Sequence, residues 1–347
     1  MGSSPQTYRI AINGYGRIGQ CVLRACYERR DAQALQIVAL NELSDSETIA
    51  YLTRYDTTHG RFPGQVRHEA QRLLIDDYPI MLLNHAQPKD LPWDDLGIDL
   101  VLECSGSFKD KATAQVHLEA GARRLLFSQP AEPNVDATIV YGVNHRELRS
   151  QHTVVSAASC TTNCVVPILK LLDEHLGIAY GTTTTIHSAM NDQPVIDAYH
   201  QTDLRLTRSA MHSIIPVDTG LPRGIERLLP HLKDRIQSLH VRVPTINVSA
   251  LDLVIQVQQA TCAQEINALL KAASENELAG IAGYSEEVHA SVDFNHDPRS
   301  VIIDATQTRV AGSHLVKLWC WFDNEWGFAN RMLDVALHWL QLDQNTD

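Results

Sequence analysis

A cysteine and a histidine suited to covalent catalysis stand on separate segments of this 347-residue chain. Cys160 lies between a strand-like apolar run at 153–156 and a helical pattern that begins at Val165. This position predicts a cysteine at a helix N-terminus, where backbone N–H groups and the helix dipole stabilise a thiolate. His187 closes a threonine-rich strand-like run and is the candidate base. The pair predicts nucleophilic catalysis through Cys160.

Other interpretations of these two residues remain open from the local sequence. Cys160 could be a buried, inert thiol, the usual state of cysteine, although its polar neighbours disfavour this. His187 could be a satisfied core histidine at a strand end. Cys160 and Cys164 could form a redox pair on one helical face, but redox dithiols usually have two intervening residues.

A glycine-rich segment near the start of the chain predicts a dinucleotide site. Gly14, Gly16 and Gly19 form a GxGxxG pattern between a strand-like run at 8–12 and a helical pattern. Such glycines permit a tight turn, a close approach to a pyrophosphate and close helix–strand packing. Glu42 follows a second strand-like run, where an acid accepts hydrogen bonds from ribose hydroxyls and repels a 2′-phosphate, so NAD is favoured over NADP. A turn that binds nothing is the alternative.

The order of apolar runs predicts an α/β chain of two domains. Residues 1–158 alternate strand and helix, which indicates a Rossmann-type, doubly wound parallel sheet, with an antiparallel insertion around 56–79. Residues 159–328 contain longer strand-like runs, typical of an α+β catalytic domain on a mostly antiparallel sheet. A chain of this length exceeds one ordinary hydrophobic core.

Composition excludes several classes of function. A net charge of -12 and the lack of a basic stripe argue against nucleic-acid binding. There is no apolar run of the roughly 20 residues that cross a membrane, and residues 1–5 lack the apolar core of a secretory signal. Seven cysteines, an odd number without paired CxxC spacing, favour free thiols and no metal site. We expect a cytoplasmic protein.

Arg242 stands inside an apolar strand-like run and has two interpretations. Its stem could pack in the sheet while its head reaches solvent or a carboxylate. Near a thiol, a base and the polar stretch 204–220, it could instead bind a phosphate, because the guanidinium fork matches phosphate oxygens.

Taken together, these segments resemble the glyceraldehyde-3-phosphate dehydrogenase family over nearly the whole chain. The segments that carry the resemblance are 13–19, 158–164, 182–187, 242–245 and 323–327. Within the family, three further segments are most similar to the branch that oxidises D-erythrose 4-phosphate: 187–190, 196–200 and 292–297. Glu42 after Asn41 at the ribose position is also similar to that branch.

The resemblance implies a homotetramer that uses NAD to oxidise D-erythrose 4-phosphate to 4-phospho-D-erythronate, on the route to pyridoxal phosphate. The alternative is a phosphorylating glyceraldehyde-3-phosphate dehydrogenase. It implies Cys160 as nucleophile and His187 as base, and a helical tail, 329–347, that returns to the cofactor domain. The implied cofactor residues are Gly14, Gly16, Arg17, Ile18, Gly19, Glu42 and Asn324. The implied substrate residues are Ser159, Thr161, Thr219, Gly220, Arg242 and Arg208.

Three positions depart from the family pattern. Met190 replaces a threonine that binds the substrate phosphate, and a thioether cannot donate that hydrogen bond. Leu206 stands where relatives carry a phosphate-binding arginine, which leaves Arg205 or Arg208 as substitutes. Ala86 replaces an arginine near the adenine.

Two functions from other classes are alternatives to a dehydrogenase. A cysteine hydrolase would use Cys160 and His187 without a nucleotide, and the GxGxxG pattern with Glu42 argues against it. A silent NAD-binding scaffold would need no thiol and base, and the presence of both argues against that.

Overall fold

The computed structural model describes residues 7–201 and 203–346. The N-terminal segment from which we expected no secretory signal, 1–5, lies outside the described residues. The chain divides into two compact units, Met1–Ser159 with Ala329–Asp347, and Cys160–Phe328. Within the described residues, no helix combines the length and apolar character needed to span a bilayer.

The first unit is a twisted sheet with helices. Its strands are β1 (Tyr8–Asn13), β2 (Leu35–Asn41), β3 (Tyr55–Asp56), β4 (Gly60–Arg61), β5 (Val66–Glu69), β6 (Arg72–Ile75), β7 (Tyr78–Leu83), β8 (Leu100–Glu103), β9 (Leu125–Phe127), β10 (Ala137–Thr138) and β11 (Val154–Ser156). Its helices are α1 (Arg17–Glu28), α2 (Ser46–Arg54) and α3 (Lys111–Glu119).

The strand order in the main sheet is β10-β11-β9-β8-β1-β2-β7-β6-β5, and β3 pairs with β4 in a separate sheet. Pairing is parallel from β10 to β7, and β7, β6 and β5 form an antiparallel meander, which confirms the predicted insertion. Ile10, Ala11 and Ile12 of β1 are all buried, because a parallel sheet is covered on both faces. The strand order reverses at β1, which places a crevice at the carboxyl ends of β1 and its neighbours.

The second unit is built on a mixed, mostly antiparallel sheet, as predicted. Its elements are α4 (Cys160–Leu176), β12 (Ile178–His187), β13 (Ile215–Val217), α5 (Leu221–Leu228), β14 (Ile236–Arg242), β15 (Ser249–Val257), α6 (Ala263–Glu275), β16 (Ala282–Ser285), β17 (Val301–Asp304), β18 (Arg309–Ala311) and β19 (Leu315–Phe322). The strand order is β13-β14-β12-β15-β19-β17-β16, with β18 beside β19. β14 runs parallel to β12, and β15 runs antiparallel to it.

The alternation of side chains along β12 places His187 on a buried face of the strand. Thr183, Thr185 and His187 alternate along the strand and are all buried, as expected for side chains that share one face. Helix α4, which begins at Cys160, packs against β12, and α5 packs against α4 and β14. A Cβ on Gly224 would lie 2.9 Å from the Thr162 hydroxyl, so the two helices meet closely there.

The last helix, α7 (Trp326–Gln341), continues into the first unit from Ala329 onward. Asp334 accepts a 2.6 Å hydrogen bond from Arg29. The Arg124 guanidinium bonds to Asp343 at 2.6 Å and stacks 5.3 Å from the Trp339 ring centre. Short 3₁₀ turns lie at Pro88–Asp90, His145–Glu147, Leu204–Thr207, Pro230–Leu232, Ser291–Phe294, Ala305–Gln307 and Leu342–Thr346.

Candidate active site

A cleft of about 290 Å³ opens at the carboxyl ends of four neighbouring strands, β1, β2, β7 and β8. This is where ligands bind in open parallel sheets. The lining residues are Asn13, Gly14, Gly16, Asn41, Glu42, Leu43, His85, Ala86, Pro88, Cys104, Ser105, Ser107 and Phe108. The cleft therefore gathers Gly14 and Gly16 of the predicted motif, Glu42, and Ala86, which departs from the family pattern, in one place.

The three glycines of the motif are required for different reasons. Gly14 has a φ of +90°, and a Cβ there would lie 2.4 Å from the Ser105 backbone. A Cβ on Gly19 would lie 2.3 Å from the Gly14 carbonyl oxygen. At Gly16, by contrast, a Cβ would meet no described atom within 4 Å. Gly16 thus leaves open space beside the first turn of α1, as a bound pyrophosphate requires.

Glu42 is fixed in the cleft by two backbone groups. Its carboxylate accepts hydrogen bonds from the N–H of Tyr15 at 2.8 Å and of Leu43 at 2.7 Å. These bonds tie the end of β2 to the glycine turn and leave further lone pairs for ribose hydroxyls. The residues present therefore fit an adenine dinucleotide.

The Arg17 side chain has a partner that the sequence did not reveal. Its guanidinium donates to the buried carboxylate of Asp56 at 2.5 and 3.2 Å. Burial acts to raise the pKa of Asp56, but Arg17 and the N–H groups of Thr58 and His59 outweigh it and hold that pKa at about 2. Arg17 and Ile18 are the first two residues of α1.

A buried carboxylate beneath the cleft was not anticipated. Glu103, the last residue of β8, accepts from the Asn13 amide at 2.5 Å and from the Ser105 N–H at 2.8 Å. Asn13 accepts in turn from the Asn41 amide at 2.7 Å. The network holds the ends of β1, β2 and β8 together below the cleft. Its signal in the sequence is an acid that closes an otherwise apolar strand.

Cys160 is the first residue of α4, as predicted, and is partly buried. Ala158, two residues earlier, has a φ of 62°, an unusual conformation for a residue with a Cβ. Burial raises the pKa of the Cys160 thiol, and hydrogen bonding to Thr161 offsets only part of that rise. The helix start alone therefore does not produce the expected thiolate, and a base is needed.

His187 has the tautomer of a general base. Its Nδ1 lies 2.8 Å from the Ser188 carbonyl oxygen, which can only accept, so Nδ1 carries the proton and Nε2 carries the lone pair. The side chain is 3% exposed, and burial lowers the pKa of the imidazole. His187 is therefore neutral at neutral pH and can take a proton.

Cys160 and His187 share an acidic neighbour. The charge of Glu325 acts to raise the pKa of both residues. Together with the packing of α4 on β12, this places the thiol and the imidazole in one electrostatic environment.

Arg242 pairs with a carboxylate, one of its two predicted states. Its guanidinium donates to both carboxylate oxygens of Asp192, at 2.6 and 2.9 Å. Asp192 lies in the loop after β12 and is half exposed, whereas Arg242 is buried. Within the described part of the chain, its Nε has no hydrogen-bond partner. The guanidinium fork that we predicted to bind phosphate is therefore occupied by the Asp192 carboxylate.

The loop between β12 and α5 places the other predicted substrate residues differently. Leu206 is buried against Ile215 and Val217, so it serves the packing of the loop. Arg208 is exposed and lies 3.1 Å from Asp197. Thr219 accepts a 3.2 Å hydrogen bond from the Leu221 N–H. Gly220 precedes the first residue of α5. Ser159 immediately precedes Cys160 and is partly exposed.

Asn324 presents an unsatisfied acceptor. Its amide N–H donates to the Ser188 hydroxyl. Its Oδ1 is buried and has no partner among the described residues. A buried carbonyl oxygen in this state is suited to a ligand N–H donor such as a carboxamide.

Two parts of the sequence match models of one family. Residues 8–111 match the glyceraldehyde 3-phosphate dehydrogenase NAD binding domain, and residues 159–324 match its C-terminal domain. The chain belongs to the glyceraldehyde-3-phosphate dehydrogenase family. It is therefore an NAD-dependent oxidoreductase that acts on a phosphorylated aldehyde sugar. All the residues that line the cleft of the first unit lie within the part of the chain that matches the NAD binding domain.

Proposed function

We propose that this member of the glyceraldehyde-3-phosphate dehydrogenase family oxidises D-erythrose 4-phosphate to 4-phospho-D-erythronate in the cytoplasm. We further propose that the enzyme is a homotetramer and that its product feeds pyridoxal phosphate synthesis. The residue that carries the choice of substrate is Met190, which follows His187 by three positions and is 44% exposed. The thioether leaves this position without the hydroxyl donor that a triose phosphate site of the family pattern uses.

The proposed reaction begins at Cys160. Its thiol is protonated in the chain alone, since burial raises its pKa, and neutral His187 is the group that accepts the proton. The thiolate then attacks the aldehyde carbon, and the His187 imidazolium returns the proton to the carbonyl oxygen, which gives a hemithioacetal and a neutral imidazole. His187 takes the hydroxyl proton of this adduct through Nε2 as the C–H hydride leaves.

NAD supplies the hydride acceptor when it is bound. Gly14, Gly16 and Gly19 with the start of α1 would hold its pyrophosphate, and Glu42 its adenosine ribose. Asn324 would accept a hydrogen bond from the nicotinamide carboxamide through its unpartnered Oδ1. These roles rest on the open space at Gly16 and on the acceptors that the site presents.

The substrate phosphate would bind at Arg242. Displacement of Asp192 exposes both guanidinium N–H donors, and the N–H groups near Gly220 at the start of α5 add further donors. Ser159, Thr161 and Thr219 supply hydroxyls, and Arg208 supplies an exposed cation at the loop surface. After oxidation, the His187 imidazolium releases its proton to solvent, and the neutral ring takes a proton from the water that attacks the thioester. The tetrahedral adduct expels the Cys160 sulfur, which regains that proton from His187, and the acid is released.

The deciding experiment measures NADH formation with D-erythrose 4-phosphate in the absence of inorganic phosphate. We expect turnover without phosphate and a higher kcat/KM than with glyceraldehyde 3-phosphate. A strict requirement for phosphate together with a preference for the triose would assign the glycolytic, phosphorylating activity instead.

A further inference from the structure

A second imidazole lies against the proposed base. The ring centres of His240 and His187 are 4.6 Å apart, and the rings are tilted by 35°. In the sheet register, His240 lies opposite Thr185 and Arg242 lies opposite His187, so these side chains share one face. Phe322 meets the His187 ring edge-on at 6.3 Å. Thus two rings, one of them an imidazole, bound His187.

The surroundings keep both imidazoles neutral. Burial lowers the pKa of His240 to about 3, aided by His187 and Arg242, and burial also lowers the pKa of His187. Arg242 and Asp192 act on both rings, while Glu325 acts on His187. From α4, the titratable group at the helix start is the Cys160 thiol. Both imidazoles are therefore neutral before the reaction begins.

The His240 ring contacts His187 but leaves one of its own nitrogens without a hydrogen bond within the described chain. Its Nε2 is buried and has no hydrogen-bond partner among the described residues. A buried, unpaired ring nitrogen costs stability, whereas an apolar side chain here would not. The contact that His240 does make is with the ring of His187. A neutral ring also offers a π face to the imidazolium that forms when His187 takes a proton.

We propose that His240 is a positioning residue for the base: its ring fixes the orientation of His187 and shields it from water. This inference rests on the proposed role of His187. The shielding keeps His187 neutral over the working pH range, and the fixed ring directs Nε2 toward the reacting thiol and hydroxyl.

The test compares His240→Ala with His240→Phe, which retains a ring of similar shape. The pKa of His187 is measured by NMR titration of its ring, assigned with His187→Gln, and kcat/KM for the phosphorylated aldehyde is measured against pH. In His240→Ala we expect the pKa of His187 to rise by roughly one unit toward its ordinary value, because water reaches the ring. We expect kcat to fall about ten-fold, less than for loss of the base itself.

The KM for NAD should change less than two-fold, roughly, in His240→Ala, and His240→Phe should restore most of kcat and the low His187 pKa. His231→Ala, which removes an exposed histidine paired with Asp173, is the matched control and should leave all three readouts unchanged. If His240→Ala does not fold, His240→Asn takes its place, since it removes the ring and keeps a polar group.

An unchanged His187 pKa and unchanged kcat in the variant without the ring overturn the proposal. The proposal is also overturned if His240→Phe restores neither the low pKa of His187 nor kcat. Because the NMR titration needs no turnover, it decides the positioning role even if the wild-type enzyme proves inactive toward both phosphorylated aldehydes. An inactive wild-type enzyme would count against the proposed function but not against the positioning role of His240.

Discussion

At the residue scale, the chemistry depends on the protonation of two side chains, the Cys160 thiol and the His187 imidazole. Burial keeps the Cys160 thiol protonated and the His187 imidazole neutral, so the proton must move from the sulfur to the imidazole before the sulfur can attack. The proton transfer is completed only when the aldehyde is present, because attack on the aldehyde carbon consumes the thiolate. The tautomer of His187, set by the Ser188 carbonyl, leaves the acceptor on Nε2.

Replacing Cys160 by serine should lower turnover by roughly a thousand-fold or more, since a hydroxyl is a far weaker nucleophile than a thiolate. NAD affinity, measured by titration calorimetry, should stay within about two-fold. Cys262→Ser is the control, because that thiol is exposed and precedes α6. Retained turnover in Cys160→Ser refutes the covalent route.

Arg242→Gln should raise the KM for the phosphorylated aldehyde by about ten-fold or more, because a charge-assisted fork contributes roughly 1.5–3 kcal/mol. The kcat/KM for the corresponding aldehyde without phosphate should be much less affected. Arg235→Gln, which alters another arginine next to β14 that donates to the Ile178 carbonyl oxygen, is the control. Equal losses with both aldehydes would show that Arg242 does not bind the phosphate.

At the scale of elements, the two glycines in the turn between β1 and α1 have different roles: Gly14 is needed for stability and Gly16 for NAD binding. Gly14→Ala forces a Cβ onto the Ser105 backbone at a φ of +90° and should cost about 3 kcal/mol of unfolding free energy. Gly16→Ala meets no described atom, so stability should change by less than about 0.5 kcal/mol. The added methyl group should nevertheless weaken NAD binding by about ten-fold or more.

Urea unfolding and NAD titration on both variants check this contrast. Gly16→Ala that binds NAD normally would show that the pyrophosphate does not approach this turn. Gly14→Ala that is as stable as the wild type would contradict the close contact with Ser105.

The ion pair between α1 and the β3 segment should make stability depend on acid pH. The pKa of Asp56 is about 2 in the folded protein and ordinary, near 3.8, when unfolded, so its stabilisation is present above pH 4. That contribution, roughly 2 kcal/mol, is lost as the pH falls from 4 toward 2. Asp56→Asn should remove this part of the slope of unfolding free energy against pH. Asp95→Asn at an exposed site is the control, and a slope equal to that of the wild type in Asp56→Asn would contradict the assignment.

Elements whose chemistry is local could be predicted from the sequence, and contacts between distant segments could not. The glycine turn, the helix start at Cys160 and the strand that ends at His187 follow from spacing and residue type. The partners of Arg17 and Arg242 were missed because Asp56 and Asp192 lie tens of residues away and carry no local pattern. His240 was missed for the same reason, since only the parallel pairing of β12 and β14 brings it beside His187.

At the scale of the whole molecule, the chain places its last helix with its first unit. The residues from Ala329 onward belong with Met1–Ser159, although the second unit lies between them in sequence. The NAD-binding unit is therefore complete only after the entire chain has been made. Long-range closure of this kind slows folding, because the loop entropy is lost before the contacts form.

Trp339 shows what the returning helix contributes. Its side chain is fully buried, its Nε1–H donates to the Arg149 carbonyl oxygen at 3.3 Å, and the Arg124 guanidinium covers its ring. Trp339→Ala should lower the unfolding free energy by about 3–5 kcal/mol, because it opens a cavity and strands that carbonyl. Gln341→Ala, an exposed change on the same helix, should cost less than about 0.5 kcal/mol. If Trp339→Ala unfolds in urea as the wild type does, the last helix does not contribute to the stability of the first unit.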